Sequence, residues 1–366
     1  MKTIVSVFLY MMICSIQIYA VSAEELNLNA KTAVIMDAES GKILYEKSKD
    51  QKMPNASTTK ILTCLYILKH CDLDQMAEVS KNAEMQPKVR LGVREGEKYK
   101  VKDLLYGLML ESYNDCAVVL AEHAEGSVEK FEKRMNQMAE DLGTSNTHFV
   151  TPNGLDGIDK KGRHETTAQD LAKIMARCIK DQQFLEITQT KQYTFTDGSK
   201  KRRFTCNNHN ALLSSMQGVI SGKTGYTSKA GYCYVGAVKQ KNMTMTFSVL
   251  ASGWPPHKTY KWKDVRKLVQ YATDHYERRE IIADTSKIKE INIKNGLKEK
   301  VLLKTGNPKA AFLVKKTDKI KIESILPSFI DAPVKKGQKV GEIKYLINGK
   351  SQKSVPIYAK QSVKQK

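Results

Sequence analysis

Residues 55–70 of the chain read NASTTKILTCLYILKH, and the interpretation of the fold starts from this stretch. Its second part carries apolar residues at the spacing of one helical face, namely Ile61, Leu62, Leu65 and Leu68. Because this pattern begins soon after Pro54, the sequence predicts a helix over residues 57–70. Ser57 is then expected at the N-terminus of that helix, where backbone N–H groups have no partner within the helix.

The segments around this helix predict a sheet that joins distant parts of the chain. Residues 33–37 and 42–46 flank a short turn that closes at Gly41, and they are expected to form a β-hairpin. Apolar patterns predict late strands at 231–239 and 242–251 and further helices at 101–123, 127–142, 166–179 and 262–276. A sheet made of the first and the late strands, with helices between them in sequence, is typical of an α+β domain.

The sequence changes character after residue 279. Residues 287–293 and 319–322 alternate polar and apolar side chains, and Asn-Gly, Asn-Pro and Lys-Gly pairs supply turns. We therefore expect a first domain over residues 24–279, a small all-β domain over 280–360 and a polar tail over 361–366. From residue 281 onward the chain has 20 Lys against 7 Asp plus Glu, so the second domain is the more basic part for its size.

Residues 1–23 have the organisation of a secretory signal. Lys2 gives a positive start, residues 4–20 are almost all apolar, and Val21-Ser22-Ala23 offers small residues for cleavage after Ala23. The alternative is an uncleaved membrane anchor, since an apolar run of roughly 17 residues is near the minimum for a span. The mature protein is expected to be secreted and to act in the cell wall or at the outer face of the membrane.

The formal net charge of +21 indicates an anionic partner. Outside the cell this charge favours wall polymers or a membrane surface over nucleic acid, although solubility alone also explains it. The sequence has no Cys-x-x-Cys or His-x-x-x-His pair, so neither a metal site nor another cofactor is predicted. Most cysteines beyond the signal are expected to be buried free thiols, because each lies in an apolar run: Cys64, Cys71, Cys116, Cys178, Cys206 and Cys233.

Ser57 and Lys60 have the spacing of a nucleophile and its base. Residues three apart on a helix share a face, so the amine of Lys60 would lie beside the hydroxyl of Ser57. A Lys60 amine kept neutral by burial or by a neighbouring cation can accept the hydroxyl proton. The helix N-terminus would also direct N–H groups at the oxygen of a reacting carbonyl. Ser-x-x-Lys recurs by chance in Lys-rich chains, so this interpretation needs support from other segments.

Ser112-Tyr113-Asn114 is the second motif, inside the helix predicted over residues 101–123. The Ser112 hydroxyl can relay a proton, and the Asn114 amide can bind a substrate amide. A polar break between two helices explains the same residues equally well.

Lys223-Thr224-Gly225 is the third motif, and it directly precedes the strand predicted from Gly231. The Lys and Thr side chains can bind a carboxylate, and the glycine lets a substrate backbone approach closely. Lys304-Thr305-Gly306 repeats the triplet in the predicted β domain. No partner motif precedes that copy, so we interpret it as a coincidence.

Together and in this order, the three motifs resemble the active-site set of penicillin-binding proteins and serine β-lactamases. The starting hairpin, the loop TPNGLDG at residues 151–157 and the appended β domain make the chain most similar to low-molecular-mass D-alanyl-D-alanine carboxypeptidases. The resemblance covers nearly all of the mature chain. It implies helices packed on an antiparallel sheet, cleavage of the D-Ala-D-Ala end of peptidoglycan stem peptides, and covalent inhibition by β-lactam antibiotics.

The resemblance also implies roles for the residues of the first two motifs. Ser57 would form the acyl-enzyme, with Lys60 as its base. Ser112 and Asn114 would complete the proton relay and the substrate contacts. Tyr113 stands where relatives often have a small residue, and we expect it to narrow the groove.

Further roles follow from the third motif. Lys223 and Thr224 would hold the terminal carboxylate of the substrate, and Gly225 would allow its close approach. The backbone N–H groups of Ser57 and Tyr226 would form the oxyanion hole. Lys261 matches the position of a further cation for the carboxylate, although the family often has Arg there.

Several alternatives remain open on the sequence. A β-lactamase of the same fold usually has Glu-x-x-Leu-Asn between the second and third motifs, and residues 115–222 contain none. A non-catalytic wall-binding protein could use the basic β domain, and endopeptidase or transpeptidase activity would need the same residues. A Ser-His-Asp triad is not excluded by the spacing of His70, His123, His148, His164, His209, His257 and His275. Residues 356–366 are too short and polar for the amphipathic membrane helix found in many relatives, so a released or wall-associated protein is expected.

Overall fold

The computed structural model describes residues 26–366, so the predicted signal over residues 1–23 lies outside the described residues. The strands of the first domain are β1 (Thr32–Asp37), β2 (Ile43–Lys47), β3 (Met76–Glu78), β4 (Lys98–Lys100), β5 (Gln192–Thr196), β6 (Arg203–Asn207), β7 (Val219–Thr227), β8 (Gly231–Gln240) and β9 (Met243–Leu250). Its helices are α1 (Lys60–His70), α2 (Lys81–Glu84), α3 (Val101–Tyr106), α4 (Asn114–Glu125), α5 (Val128–Asp141), α6 (Ala168–Cys178), α7 (Gln182–Gln189), α8 (Leu212–Ser215) and α9 (Tyr260–His275).

The main sheet joins the two ends of this domain, as the sequence predicts. It is antiparallel, with the strand order β2-β1-β9-β8-β7. Strand β1 is an interior strand because it pairs with both β2 and β9, and β9 is the central strand. The predicted α+β class, with helices packed on an antiparallel sheet, is confirmed.

The sheet is buried on both faces. Alternate residues of β1 enter different cores, since Val34 packs with the helices α1, α4 and α6, whereas Ile35 packs with α9 on the opposite face. Two-sided burial explains why β1 reads as an apolar run rather than as an alternating strand. The larger core surrounds α1, so the helix that follows Ser57 is held on all sides.

Two predictions for this domain are wrong in detail. The helix predicted over residues 101–123 is three elements: α3, a π-helical segment at Gly107–Glu111, and α4 after a break at Ser112. Lys223-Thr224-Gly225 lies inside strand β7 rather than before the first late strand. Strand β7 contains Ser221, Gly222 and Gly225, which have low strand propensity, so its sequence lacks the expected β pattern.

The second domain is all β, as predicted. Its strands are β10 (Tyr276–Ile282), β11 (Glu290–Lys294), β12 (Lys300–Thr305), β13 (Lys309–Lys315), β14 (Ile320–Ile325), β15 (Phe329–Asp331), β16 (Lys339–Ile347) and β17 (Lys350–Ala359). Six of them form a sheet in the order β14-β16-β17-β12-β11-β15, while β10 pairs with β13. The β11–β15 pair is parallel, whereas the other strand pairs of this domain are antiparallel.

The two domains meet where α9 runs directly into β10. Arg278 of β10 binds the buried carboxylate of Asp37 at 3.1 Å and Glu39 at 2.8 Å. Strand β10 therefore crosses the boundary placed after residue 279. At the other end of the domain, Val363 is buried in the β core and pairs with Val334, so the segment expected to be a polar tail packs against the domain. Across residues 26–366, every helix is too short or too polar to cross a bilayer.

Candidate active site

Ser57 lies in a tight turn ahead of α1. Residues Ala56–Thr59 form a 3-10 turn, and Ala56 adopts left-handed backbone with φ +49°. Two glycines let neighbouring chain segments approach this turn. A Cβ on Gly154 would lie 2.1 Å from the Ala56 carbonyl oxygen, and one on Gly225 would lie 2.9 Å from the Ser57 backbone nitrogen. The loop after residue 150 and strand β7 thus close on Ser57 from two sides.

Lys60 brings its amine to Ser57, as the three-residue spacing predicts. Its Nζ lies 2.8 Å from Ser57 Oγ, 2.9 Å from Asn114 Oδ1 and 2.5 Å from the carbonyl oxygen of Asn153. A neutral amine has two N–H groups and one lone pair. It can therefore donate to the Asn114 and Asn153 oxygens and accept the hydroxyl proton of Ser57.

The surroundings of Lys60 favour this neutral form. Its side chain is fully buried. Burial, and next to it the positive charge of Lys223, lower the pKa of Lys60 well below its usual range. A buried amine of lowered pKa beside a hydroxyl has the properties of a general base for a serine nucleophile.

Ser112 and Lys223 form a second pair across the cleft. The chain leaves the π-helical segment at Ser112 in the left-handed conformation with φ +68°, and α4 then begins at Asn114. Lys223 Nζ donates to Ser112 Oγ at 2.8 Å and to the carbonyl oxygen of Thr224 at 2.9 Å. Burial lowers the pKa of Lys223 to about 7.

These residues line a cleft of about 360 Å³. Eight of the nine sequence-predicted site residues face it: Ser57, Ser112, Asn114, Lys223, Thr224, Gly225, Tyr226 and Lys261. Lys60 lies beneath Ser57, to which it is hydrogen-bonded. The structure thus brings all nine predicted residues together.

Lys261 approaches the cleft from the first turn of α9. Its Nζ donates to the carbonyl oxygen of Lys258 at 2.5 Å and lies over the rings of Tyr232 and Trp262, at 4.6 and 4.7 Å from their centroids. Burial lowers the pKa of Lys261 to about 8. A cation at this position can attract a carboxylate that enters the cleft.

Tyr113 does not narrow the groove, contrary to the expectation from the sequence. Its ring packs against the larger core, which surrounds α1, and a Cβ on Gly107 would lie 3.1 Å from this ring. The left-handed residue Ser112 turns the chain so that positions 112 and 114 face the cleft, while the ring of Tyr113 points to the protein interior. The absence of a side chain on Gly107 is what lets this ring fit.

Sequence reasoning missed three contributors. Asn153 acts through its backbone carbonyl, which carries no side-chain signal. Glu111 lines the cleft and binds His209 Nε2 at 2.6 Å, although neither residue belongs to a motif. His164 is buried beside the Ser57 turn, where it contacts Thr59 rather than Ser57. The polar side chain bound to Ser57 is that of Lys60, so the geometry does not favour the His-based alternative.

Cysteines and metal ligands play no visible part in this site. All six cysteines in the described chain are unpaired, and five of them are buried. Residues 26–366 hold no group of three or more His, Cys, Asp or Glu side chains arranged to bind a metal ion.

An α+β domain in which a serine before a buried helix is hydrogen-bonded to one buried lysine, while a second buried lysine lines the same cleft and binds a second serine, defines the class of penicillin-binding proteins and serine β-lactamases. Within that class, a family model described as D-alanyl-D-alanine carboxypeptidase matches residues 19–253. A second model, described as the C-terminal domain of penicillin-binding protein 5, matches residues 276–365. The chain belongs to the D-alanyl-D-alanine carboxypeptidase family, and the resemblance seen in the sequence is confirmed.

Individual relatives extend over both domains. The chain is 30% identical to D-alanyl-D-alanine carboxypeptidase DacF of Bacillus subtilis over 347 residues, which cover 93% of this chain and 87% of that protein. It is also 30% identical to DacC of Escherichia coli, over 94% of this chain and 86% of the relative. The crystal structure of penicillin-binding protein 5 from Haemophilus influenzae matches with a TM-score of 0.70 and 28% identity, covering 94% of this chain and all of that one (100%).

Proposed function

We propose that the protein is a serine-type D-Ala-D-Ala carboxypeptidase that removes the terminal D-Ala from peptidoglycan stem peptides. The observation that carries this proposal is the 2.8 Å contact between Lys60 Nζ and Ser57 Oγ in a buried setting that lowers the pKa of the amine. The family match and the relatives named D-alanyl-D-alanine carboxypeptidase support the same reaction.

In the acylation step, Ser57 Oγ attacks the carbonyl carbon between the two D-Ala residues while its proton passes to Lys60. The negative charge on the carbonyl oxygen is stabilised by the N–H groups of Ser57 and Tyr226. Collapse of this intermediate breaks the C–N bond, and Ser112 passes a proton to the departing amine while the proton taken up by Lys60 replaces it, which returns both groups to their starting forms. Free D-Ala leaves, and an ester on Ser57 remains.

Lys223, Thr224 and Lys261 bind the carboxylate that marks the end of the substrate. Two lysines and a hydroxyl that line the same cleft give the charge complementarity that a C-terminal carboxylate needs. Water then attacks the Ser57 ester, which releases the shortened stem peptide and restores the hydroxyl. A β-lactam presents the same carboxylate and a strained amide, so it acylates Ser57 by the same steps.

Covalent labelling with fluorescent penicillin tests this proposal. Mass spectrometry should place the label on Ser57, and Ser57→Ala should abolish both labelling and release of D-Ala from an acyl-D-Ala-D-Ala peptide. Slow loss of the label favours the peptidase, whereas rapid turnover favours the β-lactamase alternative. A folded protein that takes no label supports the non-catalytic wall-binding alternative.

The repeated triplet provides a matched control. Lys223→Met should lower the acylation rate about 100-fold or more, because it removes the carboxylate cation and the partner of Ser112. Lys304→Met changes the same residue of the second Lys-Thr-Gly triplet, on the exposed face of β12, and should leave the rate unchanged. Equal effects of the two substitutions would contradict the assignment of Lys223.

We also propose that the protein works outside the cytoplasm after export by residues 1–23. The apolar run at residues 4–20 and the peptidoglycan substrate support this location. N-terminal sequencing of the exported protein should begin at Glu24. A first residue of Met1 in the exported protein would instead favour the uncleaved anchor.

A further inference from the structure

His164 lies between the Ser57 turn and the loop that follows residue 150. Its Nε2 is 2.8 Å from Thr59 Oγ1, while its Nδ1 accepts the backbone N–H groups of Val150 at 2.9 Å and Thr151 at 3.3 Å. The side chain is 3% exposed. This single ring therefore connects the segment that holds Ser57 to the loop that reaches Lys60.

The hydrogen-bond network fixes the proton on this ring. Because Nδ1 faces two N–H donors, it must present its lone pair to them. The neutral ring then carries its proton on Nε2 and donates it to Thr59 Oγ1. Burial, with a smaller contribution from His148, lowers the pKa of His164 to about 3, which agrees with a ring that stays neutral.

The hydrogen bonds of Thr59 fix the direction in which its hydroxyl proton points. Its hydroxyl oxygen accepts from His164 Nε2 and from Asn55 Nδ2 at 2.8 Å, so its own proton is left for the Ala56 carbonyl oxygen at 2.9 Å. The hydroxyl has one donor and two acceptor positions, and all three are used.

The Ala56 carbonyl belongs to the same peptide unit as the N–H of Ser57. A peptide unit is planar, so holding the carbonyl oxygen also fixes the direction of that N–H. The turn needs such a constraint, because Ala56 has the unfavourable left-handed conformation with φ +49°. The N–H of Ser57 is one of the two donors assigned to the oxyanion hole above.

Through its Nδ1 atom, the His164 ring also affects the orientation of the Lys60 amine, which is the proposed general base. By anchoring Val150 and Thr151, His164 holds the loop in which the Asn153 carbonyl accepts a hydrogen bond from Lys60 at 2.5 Å. That bond occupies one N–H of the amine, which leaves the lone pair for Ser57.

We propose that His164, acting through Thr59, is a positioning residue that sets the Ser57 oxyanion donor and the orientation of the Lys60 amine. The proposal rests on the proposed function, since it assumes that Ser57 is acylated. Among the residues that the structure describes, neither His164 nor Thr59 lines the cleft. The proposal therefore predicts a slower chemical step rather than weaker substrate binding.

Thr59→Val is the main test, because it removes the hydroxyl but keeps the shape of the side chain. It should lower kcat for an acyl-D-Ala-D-Ala peptide, and the rate constant of acylation by fluorescent penicillin, by about 10-fold or more at unchanged KM. Thr59→Ser restores the hydroxyl and should return both rates to within about 3-fold of the wild type. His164→Gln, which can still donate to Thr59, should retain more activity than His164→Ala.

Thr144→Val is the matched control for a purely structural role. Thr144 is a buried threonine after α5 whose hydroxyl donates to the Ala139 carbonyl at 2.6 Å, so it stabilises the fold without contacting Ala56 or the loop segment that holds Asn153. Melting temperatures should fall similarly in the two valine variants, whereas kcat should fall only in Thr59→Val.

Equal loss of kcat in both valine variants, or full activity of Thr59→Val, would overturn the positioning role. If wild-type protein itself takes no penicillin label on Ser57, the proposed function fails instead, so the two failures are distinguishable. If His164→Ala does not fold, the comparison of the Thr59 and Thr144 variants still decides the proposal.

Discussion

Lys60 and Lys223 are both buried, but their partners give them different chemistry. Lys60 is surrounded by three oxygen atoms and has another cation nearby, which favours a neutral amine with its lone pair toward Ser57. Lys223 has a pKa of about 7, so it is readily protonated when a carboxylate enters the cleft. One lysine is thus suited to accept a proton and the other to carry a positive charge.

Lys261 leads to a prediction about pH. Its pKa is lowered to about 8, so it carries its charge below that pH and loses it as the pH rises through that value. If it binds the substrate carboxylate, KM for an acyl-D-Ala-D-Ala peptide should rise above about pH 8. Lys261→Arg keeps the charge, since a guanidinium is not deprotonated in this range, so its KM should rise less than that of the wild type above about pH 8.

The control for this experiment is Lys258→Arg, because Lys258 is an exposed neighbour of Lys261 and does not line the cleft. Its profile of KM against pH should follow that of the wild type. Parallel profiles for all three proteins would show that Lys261 does not bind the carboxylate.

Two tyrosines beside the catalytic motifs should respond in opposite ways to truncation. Tyr113→Ala removes a half-buried ring that packs against the core and Gly107, so it should lower the free energy of unfolding by about 2 kcal/mol and leave KM unchanged. Tyr226→Ala removes an exposed ring that lines the cleft but keeps the backbone N–H, so it should raise KM with little change in stability. Urea denaturation and steady-state kinetics measure both effects. A raised KM for Tyr113→Ala would contradict the inward orientation of its ring.

At the residue scale, the sequence predicts groups that act through a side chain in a known motif. All nine predicted residues meet in or beneath one cleft. The Asn153 carbonyl could not be predicted, because any residue has one. His164 could not be singled out either, because its role depends on the contact with Thr59, 105 positions away in sequence.

At the scale of elements, the turn that carries Ser57 depends on how closely the loop after residue 150 can pack. Gly154 combines left-handed backbone, φ +85°, with the 2.1 Å approach of its Cβ position to the Ala56 oxygen. Gly154→Ala should therefore cost about 3 kcal/mol or more of unfolding free energy, from both backbone strain and displacement of the loop. It should also slow penicillin acylation.

Gly126→Ala separates these two causes. Gly126 follows α4 with a similar φ of +77°, but a Cβ there meets no atom within 4 Å. Its cost should be limited to the backbone, about 1 kcal/mol, and acylation should proceed at the wild-type rate. Equal costs measured by urea denaturation would mean that the close approach at Gly154 contributes nothing.

Elements with a strong period were predicted well, and those shaped by the site were not. Helix α5 has its cap at Ser127, which accepts the N–H of Lys130, and its period is clear in the sequence. Strand β7 was not predicted because it has glycine at positions 222 and 225, where other segments approach its backbone closely. Glycine does not contribute to an apolar strand pattern. The sequence left open whether Ser112 lies in a continuous helix or at a polar break between two helices, because apolar residues continue on both sides of it.

At the scale of the whole molecule, the sequence predicted a sheet closed by distant strands and a separate β domain. Both are present, because the hairpin at the start and the late strands each need a partner for their apolar residues. The contact between the domains was not predictable in the same way. It depends on Arg278 reaching Asp37 and Glu39, and single charged residues carry no pattern that identifies such a contact.

The charge of the second domain leads to the last prediction. Its surplus of lysine should make binding to isolated cell wall, or to vesicles of anionic lipid, fall steeply with added salt, since exposed charges are screened beyond about 8 Å at physiological ionic strength. Lys335, Lys336 and Lys364 are exposed around the Val334–Val363 pair. Replacing all three by Glu should weaken this binding about 100-fold or more, at roughly 1 kcal/mol per charge near an anionic surface. Penicillin acylation should not change, because these residues lie outside the catalytic domain.

Charge reversal of Lys160, Lys161 and Lys201, which are exposed on the first domain, gives the same change in net charge at another place. If overall charge alone drives association, this control protein will lose as much binding as the first one in co-sedimentation at low salt. If the β domain provides the binding surface, only the first protein will be displaced. Comparing binding to isolated cell wall with binding to vesicles of anionic lipid then shows whether a wall polymer or a membrane surface is the partner of that domain.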